Sequence, residues 1–197
     1  MSPGRVFAVP PRPGGPQGDS GPQGDSGPER RPGRHQSDPG PERRLAELGL
    51  ELPALRPKAG LYEGWVRSGD LLFLAGQGAD GWTGRLGLDL TIEQGRAAAR
   101  DCALNLLAQT RDALGSLDQV ARVIKVTGFV ACVPGFGEVP AVVDGASALL
   151  VELFGDRGRH ARTAVGVAAL PLGFAVEVEA VVQARPPAGS GPGGRRP

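Results

Sequence analysis

The sequence predicts an α+β fold, a two-layer sandwich in which a mixed sheet carries two helices on one face. Two observations predict it. Short apolar, β-branched runs are separated by two longer segments whose apolar residues recur at helical spacing, in the order β-β-α-β-α-β-β. These elements occupy about 144 residues, which is enough for one hydrophobic core.

The composition is that of an ordinary globular protein: of 197 residues, 40% are hydrophobic, and the formal net charge is +1. A charge so near zero gives no electrostatic reason to expect nucleic acid or an anionic membrane as a partner. No apolar run reaches the roughly 18 residues of a membrane span, and no apolar signal core is present near the start. Cys102 and Cys132 lack a CxxC spacing, as expected of free buried thiols. We therefore expect a cytoplasmic protein.

Low-complexity segments flank the predicted domain, which spans residues 42–185. Within residues 1–41 the hexapeptide GPQGDS occurs twice in tandem, and residues 186–197 are again rich in Gly and Pro. Neither segment carries enough apolar surface to offset the entropy cost of ordering it. A strict Gly-X-Y period is missing, which argues against collagen. Both segments are predicted to be disordered.

The domain is predicted to begin with three short elements. A helix is expected over Pro41–Leu50, where leucines alternate with charged residues. Strands follow over Tyr62–Arg67 and Leu71–Ala75. The tripeptide Ser68-Gly69-Asp70 between them is typical of a hairpin turn, so these two strands should pair.

Two longer helices are predicted. Thr91 and Gln94 have the spacing of a capping box, apolar residues follow at helical spacing, and Gly115 ends this first helix. Asp101 lies on it, and we expect a solvated surface charge there. The second helix is predicted over Val139–Phe154.

The strand between these helices, Val120–Val133, is predicted to be apolar on both faces. If helices cover one face, contact with another subunit is indicated on the other. The first face is assigned Ile124, Val126, Val130 and Cys132, and the second Val123, Lys125, Thr127 and Phe129.

The last part of the domain combines strand-forming sequence with charge. Strands over Thr163–Val167 and Val176–Val182 are predicted to pair antiparallel through the turn region Leu170–Gly173. Glu177 and Glu179 should share one face of the second strand, roughly 7 Å apart, while the alternate valines face the other way.

Arg162 stands at the entry to the first of these strands, beside the single histidine of the predicted domain, His160. Two interpretations are open. In one, Arg162 pairs with a Glu of the neighbouring strand and fixes the strand register. In the other, its guanidinium binds a small carboxylate ligand through two hydrogen bonds, while a Glu handles protons or positions a water.

Other catalytic signatures are missing from the predicted domain. It contains no GxSxG, P-loop or HExxH sequence, and one histidine is too few for a His-dominated metal site. The loop Gly76–Gly81, GQGADG, lacks the GxGxxG pattern leading into a helix, so phosphate binding there is not expected.

Four pieces of the sequence together resemble the YjgF/RidA family, the reactive intermediate deaminases. The resemblance covers about residues 43–184 and looks closest to a branch with a longer N-terminal lead. The pieces are Leu74-Ala75-Gly76-Gln77, His160-Ala161-Arg162-Thr163-Ala164-Val165, Leu170-Pro171 and Val176-Glu177-Val178-Glu179-Ala180.

The resemblance implies a chorismate-mutase-like fold and a homotrimer with ligand pockets between subunits. It implies hydrolysis of enamines and imines such as 2-aminoacrylate to 2-keto acids and ammonia, with no metal or organic cofactor. The family's carboxylate-binding arginine corresponds to Arg162, and its water-positioning glutamate to Glu177. The other positions that it implies at the substrate are Tyr62, Gly76, Gln77, Asp144 and Ala164.

Three positions depart from many deaminases of this family. Ala75 stands where they have Ser, Ala164 where they have Cys, and Asp144 at a helix position often occupied by Asn. The Arg clamp is retained, but the added negative charge of Asp144 bears on the choice of substrate.

Three functional hypotheses follow. The first is an enamine or imine deaminase. The second is a non-catalytic, carboxylate-binding or stress-protective trimer that uses the same cleft. The third, a ribonuclease or translation inhibitor, is an activity attached to some family members, and the near-neutral charge argues against it.

Overall fold

The computed structural model describes residues 40–58 and 60–186, and the two predicted disordered segments lie outside them except at their inner ends. The predicted α+β class, with two long helices on one face of a mixed sheet, is confirmed. The described elements are α1 (Pro41–Glu47), β1 (Trp65–Ser68), β2 (Leu71–Gly78), α2 (Ile92–Leu114), β3 (Val120–Ala131), α3 (Val139–Phe154), β4 (Ala161–Val167) and β5 (Val176–Ala184).

The sheet has the strand order β1-β2-β5-β3-β4, with β3 and β4 parallel and the other pairs antiparallel. The predicted pairing of the last two strands is therefore wrong, because β3 lies between them. The connection from β3 to β4 contains α3, and such a crossover connection places parallel strands side by side. The alternate residues of β5 from Val176 to Val182 are buried, as suits a central strand, whereas β4 is largely exposed at the edge.

The helices form the second layer: α2 packs on β2 and β5, and α3 packs on β3 and β4. The capping box of α2 is present, since the Gln94 N–H donates to Thr91 Oγ1 and the Thr91 N–H donates to Gln94 Oε1. Gly115 ends α2 with a left-handed backbone, at φ 78°. Between sheet and helices lies one core of leucine, valine and alanine side chains.

Several local predictions differ from the structure. The first strand begins at Trp65 rather than Tyr62, and α1 ends at Glu47. A β-bulge in β3, between Val123 and Lys125, shifts the register with β5. Val123 therefore faces the helices with the rest of the core, and Ile124 is exposed, which reverses the predicted faces of these two residues.

The other face of the sheet carries apolar side chains that no described element covers. Phe73 on β2 is 45% exposed and Val165 on β4 is 40% exposed. Phe129 and Val181 lie on the same face and are half-buried. In the described part of the chain, no helix combines the length and apolar character needed to cross a membrane.

Candidate functional site

Arg162 projects from the edge strand β4 toward α3. Its register partner on β3 is Val126, which faces the core. The guanidinium donates through Nη1 to Asp144 Oδ1 at 2.6 Å and to Ser147 Oγ at 3.2 Å. Asp144 and Ser147 lie three residues apart on α3, so both point toward the same strand. The Arg162 side chain is only 25% exposed, and these two contacts fix its orientation.

His160 extends this hydrogen-bonded group. Its Nδ1 lies 2.6 Å from the Gly158 carbonyl oxygen, and its Nε2 lies 3.1 Å from Ser147 Oγ. Burial lowers the pKa of the His160 imidazole, and the positive charge of Arg162 lowers it further, against an opposing contribution from the Gly158 carbonyl. The neutral imidazole is therefore favoured at neutral pH.

Glu177 lies on the opposite face of the sheet from Arg162. Its neighbours in β5, Val176 and Val178, face the helices, so the Glu177 side chain points away from them. Strand β3 separates β5 from β4. Within one chain the two predicted catalytic side chains therefore do not meet, and the predicted Arg–Glu pair is replaced by the ion pair between Arg162 and Asp144.

The Glu177 carboxyl packs against Gly76. A Cβ atom at Gly76 would lie 2.2 Å from Glu177 Oε1, so only glycine leaves room for the carboxyl in this position. Burial raises the pKa of Glu177, and the negative charge of Glu179 raises it further. A carboxyl in this setting takes up a proton more readily than an exposed glutamate does.

A β-bulge in β2 shapes this region. The register between β2 and β5 shifts between Leu74 and Gln77, which leaves Ala75 and Gly76 unpaired with β5. Gln77 is buried, and its side-chain amide donates to the Ala75 carbonyl at 3.3 Å. The structure thus brings Gly76 and Glu177 together, with Gln77 supporting the bulge.

The two remaining predicted substrate-binding residues lie apart from each other. Ala164 lies on β4, two residues after Arg162 and on the same face, opposite Gly128 of β3. Tyr62 lies in the loop before β1, where its side chain is 48% exposed.

Sequence reasoning did not single out Ser147, although its spacing from Asp144 on a predicted helix is a signal that could have found it. Asp101, which was predicted to be a solvated surface charge, is half-buried, and its carboxylate accepts a 2.7 Å hydrogen bond from Trp82 Nε1. Burial strongly raises the pKa of the Cys102 thiol, which marks it as an unreactive core residue. No group of three or more metal-ligating side chains gathers among residues 40–58 and 60–186.

The arrangement at Arg162 is suited to binding an anion. Nη1 is held by two acceptors on α3, while Nε and Nη2 have no hydrogen-bond partner among the described residues. These two nitrogens form the side of the guanidinium that binds a carboxylate through two parallel hydrogen bonds. The fold and this site define an α+β sandwich with an oriented arginine on an edge strand and a protonatable glutamate on the opposite sheet face.

The chain belongs to the YjgF/RidA family and has its chorismate-mutase-like fold. Residues 42–181 match the family model described as "YjgF/chorismate_mutase-like, putative endoribonuclease". The chain is 48% identical over 145 residues to Protein TCP17 of Trypanosoma cruzi, covering 71% of this chain and 91% of that protein.

Two solved structures are also similar. The protein Atu1372 of Agrobacterium tumefaciens, described as having unknown function, is 43% identical with a TM-score of 0.68, over 74% of this chain and 94% of that one. A "putative endoribonuclease" of Shewanella oneidensis MR-1 is 35% identical with a TM-score of 0.71, over 74% and 99% of the two chains.

Proposed function

We propose that the protein hydrolyses reactive enamines and imines of the 2-aminoacrylate type to 2-keto acids and ammonia. The observation that carries the proposal is the Arg162 guanidinium, which is held by Asp144 and Ser147 with its Nε and Nη2 side unbonded to any described residue. The substrates of such a reaction carry a carboxylate next to the reacting carbon. Binding that carboxylate to a fixed arginine would hold the reacting carbon in a defined place.

Glu177 is the second proposed catalytic residue. The carbon of a protonated imine is already electrophilic, so an oriented water is sufficient as the nucleophile. An enamine substrate first gains a proton at its terminal carbon and becomes the protonated imine. As the water forms the carbon–oxygen bond, it would give a proton to the Glu177 carboxylate, and Glu177 would pass that proton to the nitrogen of the resulting carbinolamine. The carbon–nitrogen bond then breaks, the hydroxyl group loses its proton, and the products are a keto acid and ammonia. The raised pKa of Glu177 supports a role in proton transfer.

A site that contains both residues requires two copies of the chain, because Arg162 and Glu177 project from opposite faces of one sheet. This supports an assembly of several copies with sites between subunits, in which the uncovered sheet face around Phe73 and Val165 would contact the other subunits. We propose that it is the homotrimer that the family resemblance implies. Tyr62, Gly76, Gln77 and Ala164 would line the substrate pocket.

The test measures release of keto acid and ammonia while 2-aminoacrylate is generated from serine by a separate dehydratase. We expect the wild type to accelerate release, and Arg162→Ala to reduce kcat/KM by at least about 100-fold, as when a buried charged hydrogen-bonding partner is removed. Arg159→Ala is the matched control, since Arg159 pairs with exposed Asp156 near the start of the same strand. No acceleration by the wild type would contradict the proposal.

A non-catalytic carboxylate-binding role is the second candidate, because the Asp144 carboxylate already neutralises Arg162. It predicts that pyruvate raises the melting temperature of the wild type but not of Arg162→Ala, without turnover. The endoribonuclease description of the matched family and of the Shewanella protein is tested by RNA cleavage. Cleavage that persists through purification and is lost in Arg162→Ala would favour that activity instead.

A further inference from the structure

Ser147 and His160 form a chain of hydrogen bonds next to Arg162. The donor and the acceptor of each bond in this chain can be assigned. A carbonyl oxygen only accepts, so His160 Nδ1 carries the proton that bonds the Gly158 oxygen. In the neutral imidazole Nε2 is then an acceptor, and the Ser147 hydroxyl donates to it at 3.1 Å. The lone pairs of Ser147 Oγ remain available, and one accepts from Arg162 Nη1 at 3.2 Å.

We propose that Ser147 and His160 are positioning residues for Arg162: the imidazole fixes the serine hydroxyl, and the serine oxygen together with Asp144 holds Nη1 so that Nε and Nη2 point toward the ligand. The inference deepens the proposed function and rests on it, since it assigns to Arg162 the role of carboxylate binding. Neither Ser147 nor His160 needs to touch the substrate in this arrangement.

The charged groups around the His160 imidazole influence the pH at which it gains a proton. Arg162 from β4 is the cation that acts on the imidazole, and Asp144 from α3 bonds Arg162 rather than His160. Three charged residues lie just before His160 in the chain. Asp156 pairs with Arg159, and Arg157 donates to the Val120 carbonyl. Lys125 of β3 bonds the Thr163 hydroxyl on the other sheet face.

A carboxylate bound to Arg162 offsets the positive charge that opposes protonation of His160. Binding and protonation are reciprocally linked, so each must favour the other by the same factor. The affinity of the wild type for a carboxylate should therefore rise as the pH falls through the range in which His160 titrates. Because this linkage follows from the charges alone, the positioning role itself is tested by the Ser147 variants.

The first experiment needs no ligand. The sequence contains two histidines, so a His35→Gln background leaves His160 as the single imidazole signal in proton NMR. We expect Arg162→Gln, made in this background, to raise the pKa of His160, because it removes the cation beside the ring. An unchanged or lower pKa would contradict the proposed linkage between carboxylate binding and protonation of His160, whatever the activity of the protein.

The second experiment measures pyruvate binding by calorimetry between pH 5 and 8. We expect Ser147→Ala to weaken binding about fivefold, the loss of one hydrogen bond, and Ser147→Thr to restore it. His160→Gln should bind pyruvate more weakly than the wild type at pH 8, because the imidazole no longer fixes the Ser147 hydroxyl, and its affinity should not rise at low pH. In the deaminase assay, Ser147→Ala should raise KM and leave kcat unchanged.

Different binding results would contradict the two proposals. If Arg162→Ala abolishes pyruvate binding while Ser147→Ala binds like the wild type, the positioning role is wrong and the proposed carboxylate site stands. If the wild type and Arg162→Ala bind pyruvate equally, the proposed function of Arg162 is wrong, and the positioning inference that rests on it is contradicted as well.

Discussion

The Glu177 carboxyl lies where burial and the charge of Glu179 both oppose its ionisation. A raised pKa in the folded state means that the fold favours the protonated form. The contribution of this group to stability is therefore fully present below the pKa of the unfolded chain and is lost as the pH rises through the higher pKa of the folded protein. At neutral pH the ionised Glu177 carboxylate destabilises the fold.

We accordingly expect Glu177→Gln to melt at a higher temperature than the wild type at pH 7, since the amide removes the unfavourable charge. The difference should disappear near pH 4, where the wild-type carboxyl is protonated as well. Thermal melts of both proteins across this range provide the measurement. Glu138→Gln, at the N-terminal end of α3, is the control and should not raise the melting temperature at pH 7, because a carboxylate is favourable beside a helix N-terminus. A lower melting temperature for Glu177→Gln at pH 7 would contradict the argument.

Asp144 determines how much positive charge Arg162 offers to an anion. Its carboxylate bonds Nη1 at 2.6 Å and would repel a ligand carboxylate on the neighbouring nitrogens. Asp144→Asn keeps an oxygen acceptor for Nη1 but removes the charge. A repulsion of about 1 kcal/mol at this partly exposed site corresponds to roughly fivefold tighter pyruvate binding in the variant. Calorimetric titration measures this change.

Asp156→Asn, on the exposed side of the same region, should leave pyruvate affinity unchanged. Weaker binding by Asp144→Asn would show that the charge of Asp144 orients Arg162 more than it repels the ligand. This variant also tests the departure from the asparagine that many family deaminases carry.

The sequence motifs pointed to Arg162, Glu177 and Gly76 as candidate site residues, and this remains a prediction. The interpretation in which Arg162 pairs with a glutamate of the neighbouring strand is wrong, because Arg162 pairs with Asp144. Strand alternation correctly predicted that Glu177 and Glu179 share a face. The partner of Arg162 depends on which strand lies at the sheet edge and which helix packs over it. Neither is encoded in the local sequence around Arg162.

Among the elements, the contact between α2 and α3 depends on a glycine. A Cβ atom at Gly145 would lie 2.0 Å from the backbone carbonyl oxygen of Arg96. Backbone atoms of α2 cannot move aside as a flexible side chain would, so the helices would have to separate from each other or from the sheet. The helix propensity of alanine, about 1 kcal/mol better than glycine, is too small to offset this.

We expect Gly145→Ala to lower the free energy of unfolding by about 3 kcal/mol, measured by urea denaturation at fixed protein concentration. Ala148→Gly, on the exposed side of α3, is the matched control and should cost only the helix-propensity difference of about 1 kcal/mol. A more stable Gly145→Ala variant would mean that the two helices adjust freely.

Local signals predicted the elements well. The capping box at Thr91 and the terminator Gly115 gave the bounds of α2, and helical spacing gave those of α3. The errors concern how strands combine. A short connection between β4 and β5 is typical of a hairpin, but β3 lies between these two strands. As a central strand, β3 buries its apolar residues better than it would at the sheet edge. The bulge near Ile124 is likewise set by pairing with β5.

A single copy of the chain has an uncovered apolar surface and lacks a site that contains both proposed catalytic residues. The sheet exposes Phe73 and Val165 on the face opposite the helices, and the two proposed catalytic residues point away from each other. An apolar sheet face that is left uncovered favours association. In the proposed cyclic assembly, each copy would present Arg162 to the Glu177 side of the next copy, and one interface would account for both features.

Such an assembly makes a prediction that no single-chain site can satisfy. Arg162→Ala and Glu177→Gln should each be nearly inactive in the deaminase assay, yet activity should return when the two variants are unfolded together and refolded as a mixture. In a mixed trimer a site is intact when its arginine comes from the Glu177→Gln chain and its glutamate from the Arg162→Ala chain. Random mixing makes about one quarter of the sites intact, so roughly a quarter of wild-type activity is expected.

Sedimentation before and after mixing checks that the assembly mass stays near three times the 20.3 kDa of one chain. Refolding each variant alone is the control, because it exchanges subunits without forming an intact site. If the mixture stays as inactive as its components while the subunits demonstrably exchange, Arg162 and Glu177 do not serve one substrate from two chains. Since a single chain places them on opposite faces of its sheet, Glu177 would then lose its proposed role, and the proton donor would have to lie on the Arg162 side of the sheet.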